Sequence, residues 1–252
     1  MKDRVAIVTG AGRGIGRATA LILARRGARV LAVSRAQDTL DALAAEEPSI
    51  ATLAVDLATR EACEATVAAA HRLGPVEILV ANHGIGSTFS GNVFDQDLAD
   101  YAQTIAVNLD APFHLAQLAG RDMRERGYGR MVMVSSTSGL HGSPGDVAYT
   151  TSKHGLIGLV RATAFDVGTF GGTCNAVCPG WVHTPMADRS AARSASRGGV
   201  SVDDVWAARD ALYPRGRAIQ PEEVAELIAF LCSEASSGVN GEAIRVAAGN
   251  TQ

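Results

Sequence analysis

The stretch that decides the fold is Val5-Ala6-Ile7-Val8-Thr9-Gly10-Ala11-Gly12-Arg13-Gly14-Ile15-Gly16. The apolar run at 5–8 predicts a buried strand, and residues 15–26 have helical spacing that ends at Gly27. Between them, four closely spaced glycines would let the backbone approach a phosphate at the free N–H groups of the helix. The stretch therefore predicts a strand, a nucleotide-binding loop and a helix.

The glycine spacing distinguishes this loop from two other phosphate-binding loops. Gly10, Gly14 and Gly16 give the pattern G-x-x-x-G-x-G, whereas Ile15 and Arg17 break a G-x-G-x-x-G pattern. No G-K-[ST] follows, so the loop is not a P-loop. A tight turn without a ligand is the alternative interpretation. The loop alone indicates a nucleotide but not a reaction.

Working outward, short apolar runs alternate with longer Ala- and Leu-rich stretches along the chain. This alternation predicts a single Rossmann-type, doubly wound α/β sheet of about seven parallel strands with helices on both faces. The predicted strands are 5–8, 29–33, 50–55, 76–80, 131–134, 173–177 and 243–246. The predicted helices are 15–26, 39–47, 60–73, 98–126, 149–167 and 222–232. We expect one domain over 1–252, with an irregular, mobile substrate loop at about 185–216.

Composition excludes several classes of protein. The 252 residues carry 23 basic and 26 acidic side chains, without the basic excess of a nucleic-acid-binding domain. No apolar run reaches the roughly 18–20 residues of a membrane span. Four cysteines form no disulfide framework, and six histidines show no metal-ligand spacing. We expect a cytoplasmic protein without metal, nucleic-acid or membrane partners, in which Cys174 and Cys178 are buried on one strand face.

The end of the second predicted strand bears on the choice of nucleotide. An acidic residue there would bind the ribose 2′-hydroxyl of NAD, but the sequence has Ser34-Arg35. Ser34 leaves no carboxylate to repel a 2′-phosphate, and Arg35 and Arg13 can donate charge-assisted hydrogen bonds to it. The pair favours NADP(H) over NAD(H). The alternative is two ordinary surface arginines.

A tyrosine and a lysine four residues apart suggest acid–base chemistry. Tyr149 and Lys153 lie on one face of a predicted helix, and Lys2 is the only other lysine in the chain. A nearby ammonium stabilises a phenolate and would lower the pKa of Tyr149. Ser136, at the end of the fifth predicted strand, would hydrogen-bond a substrate oxygen opposite the tyrosine. These groups suit a carbonyl–alcohol interconversion.

The chain resembles the short-chain dehydrogenase/reductases, in their short single-domain branch, from Val5 to about Gly249. The motifs that carry the resemblance are Thr9-Gly10 with Gly14 and Gly16, Asp56-Leu57, Asn108, Ser136, Tyr149, Lys153, and Pro179-Gly180 with Thr184. The resemblance implies a catalytic tetrad. In it Tyr149 is the acid for reduction and the base for oxidation, and Lys153 lowers its pKa and holds the nicotinamide ribose. Ser136 orients the carbonyl, and Asn108 holds a water that links Lys153 to solvent.

The resemblance also implies a set of cofactor-binding residues. Asp56 would meet the adenine, and Thr184 would bond the carboxamide of the nicotinamide. With the strand-end pair, the expected set is Gly10, Gly12, Arg13, Gly14, Ile15, Gly16, Ser34, Arg35, Asp56, Leu57, Asn82, Gly84, Tyr149, Lys153, Pro179, Gly180, Val182 and Thr184.

Two segments depart from the family pattern. Ala81-Asn82-His83-Gly84 stands where the family commonly has Asn-Asn-Ala-Gly, so Ala81 lacks a bracing side chain and His83 adds bulk. Asn82 and Gly84 should preserve the turn beside the adenosine. Near the end, residues 247–249 are Ala-Ala-Gly instead of Asp-Gly-Gly, which affects a contact expected at a subunit interface.

Two further patterns bear on partners. Gly155 and Gly158 lie within the helix of Tyr149 and each cost about 1 kcal/mol relative to Ala, which a close helix–helix contact would justify. In this family that helix packs in a dimer of dimers, which implies a homotetramer. If residues 189–197 are helical, Arg189, Arg193 and Arg197 form a basic stripe. The stripe either attracts an anionic or carrier-bound substrate or is a solvated face.

These observations predict an NADP(H)-preferring oxidoreductase that moves a hydride between nicotinamide and a small carbonyl or secondary alcohol, free or carrier-bound. The cofactor-side sequence is similar to that of 3-oxoacyl-carrier and polyketide ketoreductases. An NAD-dependent alcohol or sugar dehydrogenase is the alternative within the enzymes. A non-catalytic nucleotide sensor is the alternative outside them, although it would not need the tetrad. A methyltransferase would leave the Tyr149–Lys153 pair unexplained.

Overall fold

The computed structural model describes residues 1–86 and 91–250. Within these ranges, one seven-stranded sheet has the order β3-β2-β1-β4-β5-β6-β7. Its strands are β1 Val5–Thr9, β2 Arg29–Ser34, β3 Ala51–Ala54, β4 Val76–Ala81, β5 Arg130–Val134, β6 Thr173–Pro179 and β7 Ala243–Val246. Every neighbouring pair is parallel, which confirms the predicted doubly wound α/β fold.

Helices cover both faces of the sheet. In chain order the described α-helices are α1 Gly14–Arg25, α2 Gln37–Glu46, α3 Arg60–His71, α4 Leu98–Ile105, α5 Ala111–Arg126, α6 Val147–Gly168, α7 Pro185–Gly198, α8 Val202–Asp210 and α9 Pro221–Leu231. One core contains Leu115 of α5 and Leu156 of α6, together with residues of α3. The core on the opposite face contains Leu23 of α1, Leu40 of α2 and Ile228 of α9. The two cores explain why most strands are apolar throughout.

β1 lies where the strand order reverses. β2 and β3 follow on one side of β1, and β4 begins the other half of the sheet. In such sheets ligands bind in the crevice outside the carboxyl ends of the strands, at this switch point. The glycine loop leaves β1 there, and Asn82 follows β4 at the same edge. The topology therefore places the predicted nucleotide loop where the fold offers a crevice.

The predicted single helix at 98–126 is wrong in its middle. A π-helical turn, Ala106–Asp110, separates α4 from α5 and carries the buried Asn108. Pro112 has no N–H to donate to the carbonyl of Asn108, four residues earlier, so the regular helical ladder cannot continue through this point. The wider turn sits directly at a residue of the expected tetrad.

The expectation of an irregular segment at 185–216 is also wrong. Most of it is helical, as α7 and α8. The Thr184 side chain caps α7, and Ser201 and Asp204 form a capping box at the start of α8. Ala187, Ala191 and Ala195 recur at helical spacing and form the buried face of α7. The segment is rich in alanine, serine and arginine, which suggested irregular structure. Thr184 and Ser201, however, are residue types that commonly cap the start of a helix.

Smaller expectations have mixed outcomes. Cys174 and Cys178 both lie in β6 and are buried in the same core, as predicted; all four cysteines are buried free thiols. A Cβ at Gly155 would lie 2.8 Å from the Leu109 side chain, which confirms the close contact there. A Cβ at Gly158 would meet no described atom within 4 Å.

No helix in the described part of the chain is long and apolar enough to cross a membrane.

Candidate active site

The loop after β1 requires its glycines for two different reasons. Gly10 and Gly14 have φ values of +64° and +56°, which L side chains rarely adopt. A Cβ at Gly16 would lie 2.3 Å from the Gly10 carbonyl oxygen, and one at Gly12 would lie 2.2 Å from Thr39 Oγ1. Arg13 is the N-cap of α1 and provides no side-chain cap, so the first N–H groups remain available. The loop therefore fits a pyrophosphate.

Thr9 and Asn82 connect this loop to the end of β4. Asn82 Nδ2 donates to the Thr9 carbonyl at 3.0 Å, and Thr9 Oγ1 accepts from the backbone N–H groups of Asn82 and His83 at 3.0 and 3.2 Å. Asn82 also explains why residue 10 is a glycine, because a Cβ there would lie 2.9 Å from its Nδ2. The expected backbone turn at Asn82 is thus present.

His83 does more than add bulk beside this turn. Its Nδ1 lies 2.7 Å from Thr9 Oγ1, whose two acceptor sites are already used by backbone N–H groups. The same Oγ1 lies 3.2 Å from the Val80 carbonyl, so the single hydroxyl proton has two acceptors within reach, this carbonyl oxygen and Nδ1. Burial and the charge of Lys153 lower the pKa of His83 to about 4, so the ring is neutral at physiological pH. The hydrogen bond between the imidazole and Thr9 thus links the end of β1 to the residues that follow β4.

The expected 2′-phosphate residues converge at the end of β2. A Cβ at Gly12 would lie 2.8 Å from Ser34 Oγ, so this hydroxyl faces the loop. Arg35 NH1 lies 3.6 Å from Asp56 Oδ2, and both side chains are more than half exposed. The N-cap of α2 is Ala36, which has no side-chain cap, so free N–H groups point to the same edge. Asp56 therefore competes with an incoming anion for Arg35.

The four residues of the expected tetrad lie together. Asn108 accepts from the Ile85 N–H at 2.8 Å and donates to the Ile85 carbonyl at 2.9 Å. A Cβ at Gly84 would lie 3.2 Å from Asn108 Oδ1 and 3.5 Å from Lys153 Nζ, which brings these groups to one point. Lys153 Nζ lies 5.5 Å from the centre of the Tyr149 ring. Tyr149 also hydrogen-bonds to Ser136.

The expectation that the pKa of Tyr149 is lowered is wrong for the protein without a bound ligand. Lys153 was expected to lower the pKa of Tyr149, yet burial raises that pKa to about 12 against the hydrogen bond from Ser136. Burial also lowers the pKa of Lys153 to about 8, and its ammonium donates to the Val134 carbonyl at 3.0 Å. Desolvation thus acts on both groups and favours the neutral form of each.

The segment after β6 closes the other side of the crevice. Gly180 donates to the Val246 carbonyl at 3.0 Å, and Val182 pairs with Ile219. Thr184 faces the glycine loop, because a Cβ at Gly14 would lie 3.0 Å from its Cγ2. The loop, the tetrad and this segment all lie at the carboxyl ends of the strands, the edge where sheets of this kind bind their ligands. Sequence reasoning missed Thr39 and Tyr213, which contact Gly12 and Gly180; Thr39 begins the predicted second helix, and Tyr213 lies in the segment expected to be irregular.

Three other predicted site residues differ in their exposure. Leu57 is buried, Arg13 is exposed, and Ile15 packs at the edge of the α1 core. Residues 87–90 lie outside the described part of the chain. Within the described residues, no group of three or more His, Cys, Asp or Glu side chains is arranged to hold a metal ion.

Comparisons with known proteins agree with this geometry. A family model described as Enoyl-(Acyl carrier protein) reductase matches residues 10–251. The chain is 33% identical over 254 residues to the 3-oxoacyl-[acyl-carrier-protein] reductase of Rickettsia felis, covering 99% of this chain and 97% of that protein. It is 35% identical over 243 residues to the 2-keto-3-deoxy-L-fuconate dehydrogenase of Xanthomonas campestris, covering 96% and 78%. A solved variant of actinorhodin polyketide ketoreductase with NADPH matches with a TM-score of 0.91 at 33% identity, covering 98% and 96%.

Replacing Lys153 by methionine should stabilise the protein when no nucleotide is added. The pKa of Lys153 is about 8 when folded against 10.5 for a free lysine, so burying its charge costs stability below pH 8. That cost falls as the pH rises from 8 to 10.5. We expect Lys153→Met to raise the free energy of unfolding by about 1–3 kcal/mol at neutral pH and by less in alkali.

Urea unfolding at several pH values measures this effect. Lys2→Met is the matched control, because Lys2 is exposed and is the only other lysine. A Lys153→Met protein that is less stable than the wild type at neutral pH would contradict the desolvation argument.

Proposed function

This chain belongs to the short-chain dehydrogenase/reductase family, and we propose that it is an NADP(H)-preferring ketoreductase. Family membership makes it an NAD(P)-dependent oxidoreductase of ketones and alcohols. The observation that carries the proposal is the convergence of Tyr149, Lys153, Ser136 and Asn108 beside the glycine loop. A non-catalytic nucleotide sensor would have no use for that convergence, which argues against this alternative.

The proposed mechanism assigns the proton to Tyr149. When bound, the nicotinamide cofactor supplies the hydride for reduction or accepts it for oxidation. The Tyr149 hydroxyl gives its proton to the carbonyl oxygen during reduction, and Ser136, already bonded to that hydroxyl, orients the same oxygen. Lys153 stabilises the phenolate that forms, since a buried ammonium and a buried phenolate each reduce the cost of charging the other. Asn108 fixes the backbone at Ile85 beside Lys153.

The preference for NADP(H) rests on charge at the end of β2. Ser34 carries no carboxylate, and Arg35 and the uncapped start of α2 present positive potential at one edge. Arg13 adds a second exposed guanidinium in the loop. The relative solved with NADPH supports the same choice. The pairing of Arg35 with Asp56 is the observation that favours the second candidate, an NAD-dependent alcohol or sugar dehydrogenase.

The substrate is proposed to be a small carbonyl or secondary alcohol, with a carrier-bound form as a variant of the same reaction. α7 presents Arg189, Arg193 and Arg197 on its exposed face, and none makes an ion pair with a described residue. Such a stripe suits an anionic carrier or substrate. The names of the relatives include an acyl-carrier-protein reductase and a sugar-acid dehydrogenase.

We also propose a homotetramer in the cytoplasm. Phe165 is 83% exposed on α6, and Gly158, two turns earlier, leaves open space on the exposed side of the helix. An exposed apolar ring on the same helix face as a residue without a side chain suits close packing against a second copy. Four buried cysteines without a disulfide suit a reducing compartment.

Tyr149→Phe should reduce turnover about 10²-fold or more, because it removes only the transferable proton. Cofactor affinity should be unchanged. The measurement is the nicotinamide absorbance with NADPH and a panel of carbonyl compounds. Tyr128→Phe is the control, since Tyr128 lies against Arg4 at the opposite edge of the sheet. A Tyr149→Phe enzyme with more than half of its activity would refute the assignment.

Wild-type enzyme should prefer NADPH over NADH by about ten- to hundredfold in kcat/KM, or about 1.4–2.8 kcal/mol. Ser34→Asp with Arg35→Ala should reverse this preference, because repulsion of the 2′-phosphate replaces attraction. Arg35→Ala alone should only reduce it. If the wild type prefers NADH, Arg35 serves Asp56 and the second candidate is correct.

Gly158→Ala should weaken assembly. On an exposed helix this change normally stabilises by about 1 kcal/mol, whereas at a tight subunit contact the added methyl group opposes packing. Light scattering and thermal unfolding across protein concentrations separate the two cases. Gly155→Ala is the comparison, because its clash with Leu109 lies within one chain and its cost is independent of concentration. A purely stabilising Gly158→Ala change, with no loss of assembly, would contradict the proposed interface.

A further inference from the structure

A buried guanidinium lies between the chain's two tryptophans. Arg209 of α8 is only 6% exposed, and its Cζ lies 3.5 Å from the centre of the Trp181 ring and 5.1 Å from that of Trp206. Its NH1 donates to the Ala187 carbonyl at 3.0 Å, and its NH2 donates to Ser190 Oγ at 3.1 Å. One side chain therefore contacts α7, α8 and the segment that follows β6.

The surrounding side chains interleave from two elements. Trp181 and His183 lie two residues apart on the extended segment that pairs through Val182, so they point to the same side. Trp206 and Arg209 lie three residues apart on one face of α8. The Trp206 ring stacks on His183 with 4.3 Å between ring centres. We call Trp181, His183, Trp206 and Arg209 the clasp, because they join α8 to the segment that follows β6.

The charge of Arg209 is unusual for its position. Among the described residues no carboxylate lies within 4 Å of it, and burial lowers its pKa to about 10, which leaves it protonated at neutral pH. A methionine or leucine would fill the gap between the rings without desolvating a charge. What arginine adds is a planar fork, here directed at the first turns of α7. That turn begins directly after Thr184, the residue facing Gly14.

We propose that Arg209 is a positioning residue for the nicotinamide half of the site. Its contacts join α7 and α8 to Trp181, so that both helices pack as one unit against residues 179–184. This packing holds Thr184 against the glycine loop. The proposal deepens the proposed function, on which it rests for the identity of the nucleotide. On this proposal, the position of α7 and α8, which make up most of the segment expected to be mobile, depends on the side chain of Arg209.

The two tryptophans make the clasp directly observable, because the chain has no others. Arg209→Met keeps the volume but removes the fork. Without any ligand, we expect it to shift tryptophan emission to longer wavelength, to increase acrylamide quenching and to speed tryptic cleavage within α7. Arg121→Met, exposed on α5, is the matched control: it leaves every trypsin site of α7 in place and should match the wild type in all three. Equal quenching and cleavage in a folded Arg209→Met protein and in this control would overturn the proposal.

A binding measurement tests the positional claim. Arg209→Met should weaken NADPH binding by roughly tenfold, the scale of one hydrogen bond lost between Thr184 and the nicotinamide. The affinity for adenosine 2′,5′-bisphosphate, which has no nicotinamide, should be unchanged. Equal weakening of both nucleotides would indicate general damage and overturn the claim. If Arg209→Met does not fold, Arg209→Lys, which keeps the charge without the fork, should show the same changes. A wild type that binds neither nucleotide would refute the proposed function, while the fluorescence still tests the clasp.

Discussion

The geometry of the candidate site depends on an ammonium group that is held out of water at a cost in stability. Lys153 is 4% exposed and lies on the helix that also carries Tyr149. Its side chain reaches the carbonyl of Val134 at the end of β5, and Gly84 lies next to it, where a Cβ would be 3.5 Å from Nζ. One hydrogen bond of this cation thus joins α6 to the end of β5, and the turn after β4 packs next to it.

Around that cation, the site is assembled largely from backbone groups at the switch point. The Thr9 hydroxyl gathers two amide N–H groups and an imidazole, and the π-helical turn directs Asn108 at the backbone of Ile85. These contacts use the ends of elements, where backbone groups lack helical or strand partners. Local irregularity, rather than regular secondary structure, thus gives the crevice its shape. The sheet beneath supplies the rigid base.

The sheet, the loop glycines and the Tyr149–Lys153 pair were predictable because each depends on local pattern, whereas Asn108 was predicted only through the resemblance to a family. Periodicity identifies buried strands, and the four-residue spacing of Tyr149 and Lys153 places them on one helix face. The π-helical turn was missed because a proline in the middle of a helical pattern can kink, end or widen the helix, and the pattern does not distinguish these outcomes. The raised pKa of Tyr149 was missed because desolvation depends on neighbours from distant parts of the chain. The bond from His83 to Thr9 likewise joins residues far apart in sequence. The clasp at Arg209 required the helices of a segment that composition alone made look irregular.

The burial of the cysteines has a consequence for redox chemistry. Burial raises the pKa of Cys63 and Cys178 to about 11 and that of Cys174 and Cys232 to about 12. At neutral pH only about one thiol in ten thousand or fewer is then a thiolate, the form that peroxides and electrophiles attack. Cys178 lies close enough to Lys153 for the ammonium to favour its thiolate, but desolvation outweighs this effect. The four thiols are therefore expected to react slowly with peroxides, so the thiol beside Lys153 should stay reduced under oxidising conditions.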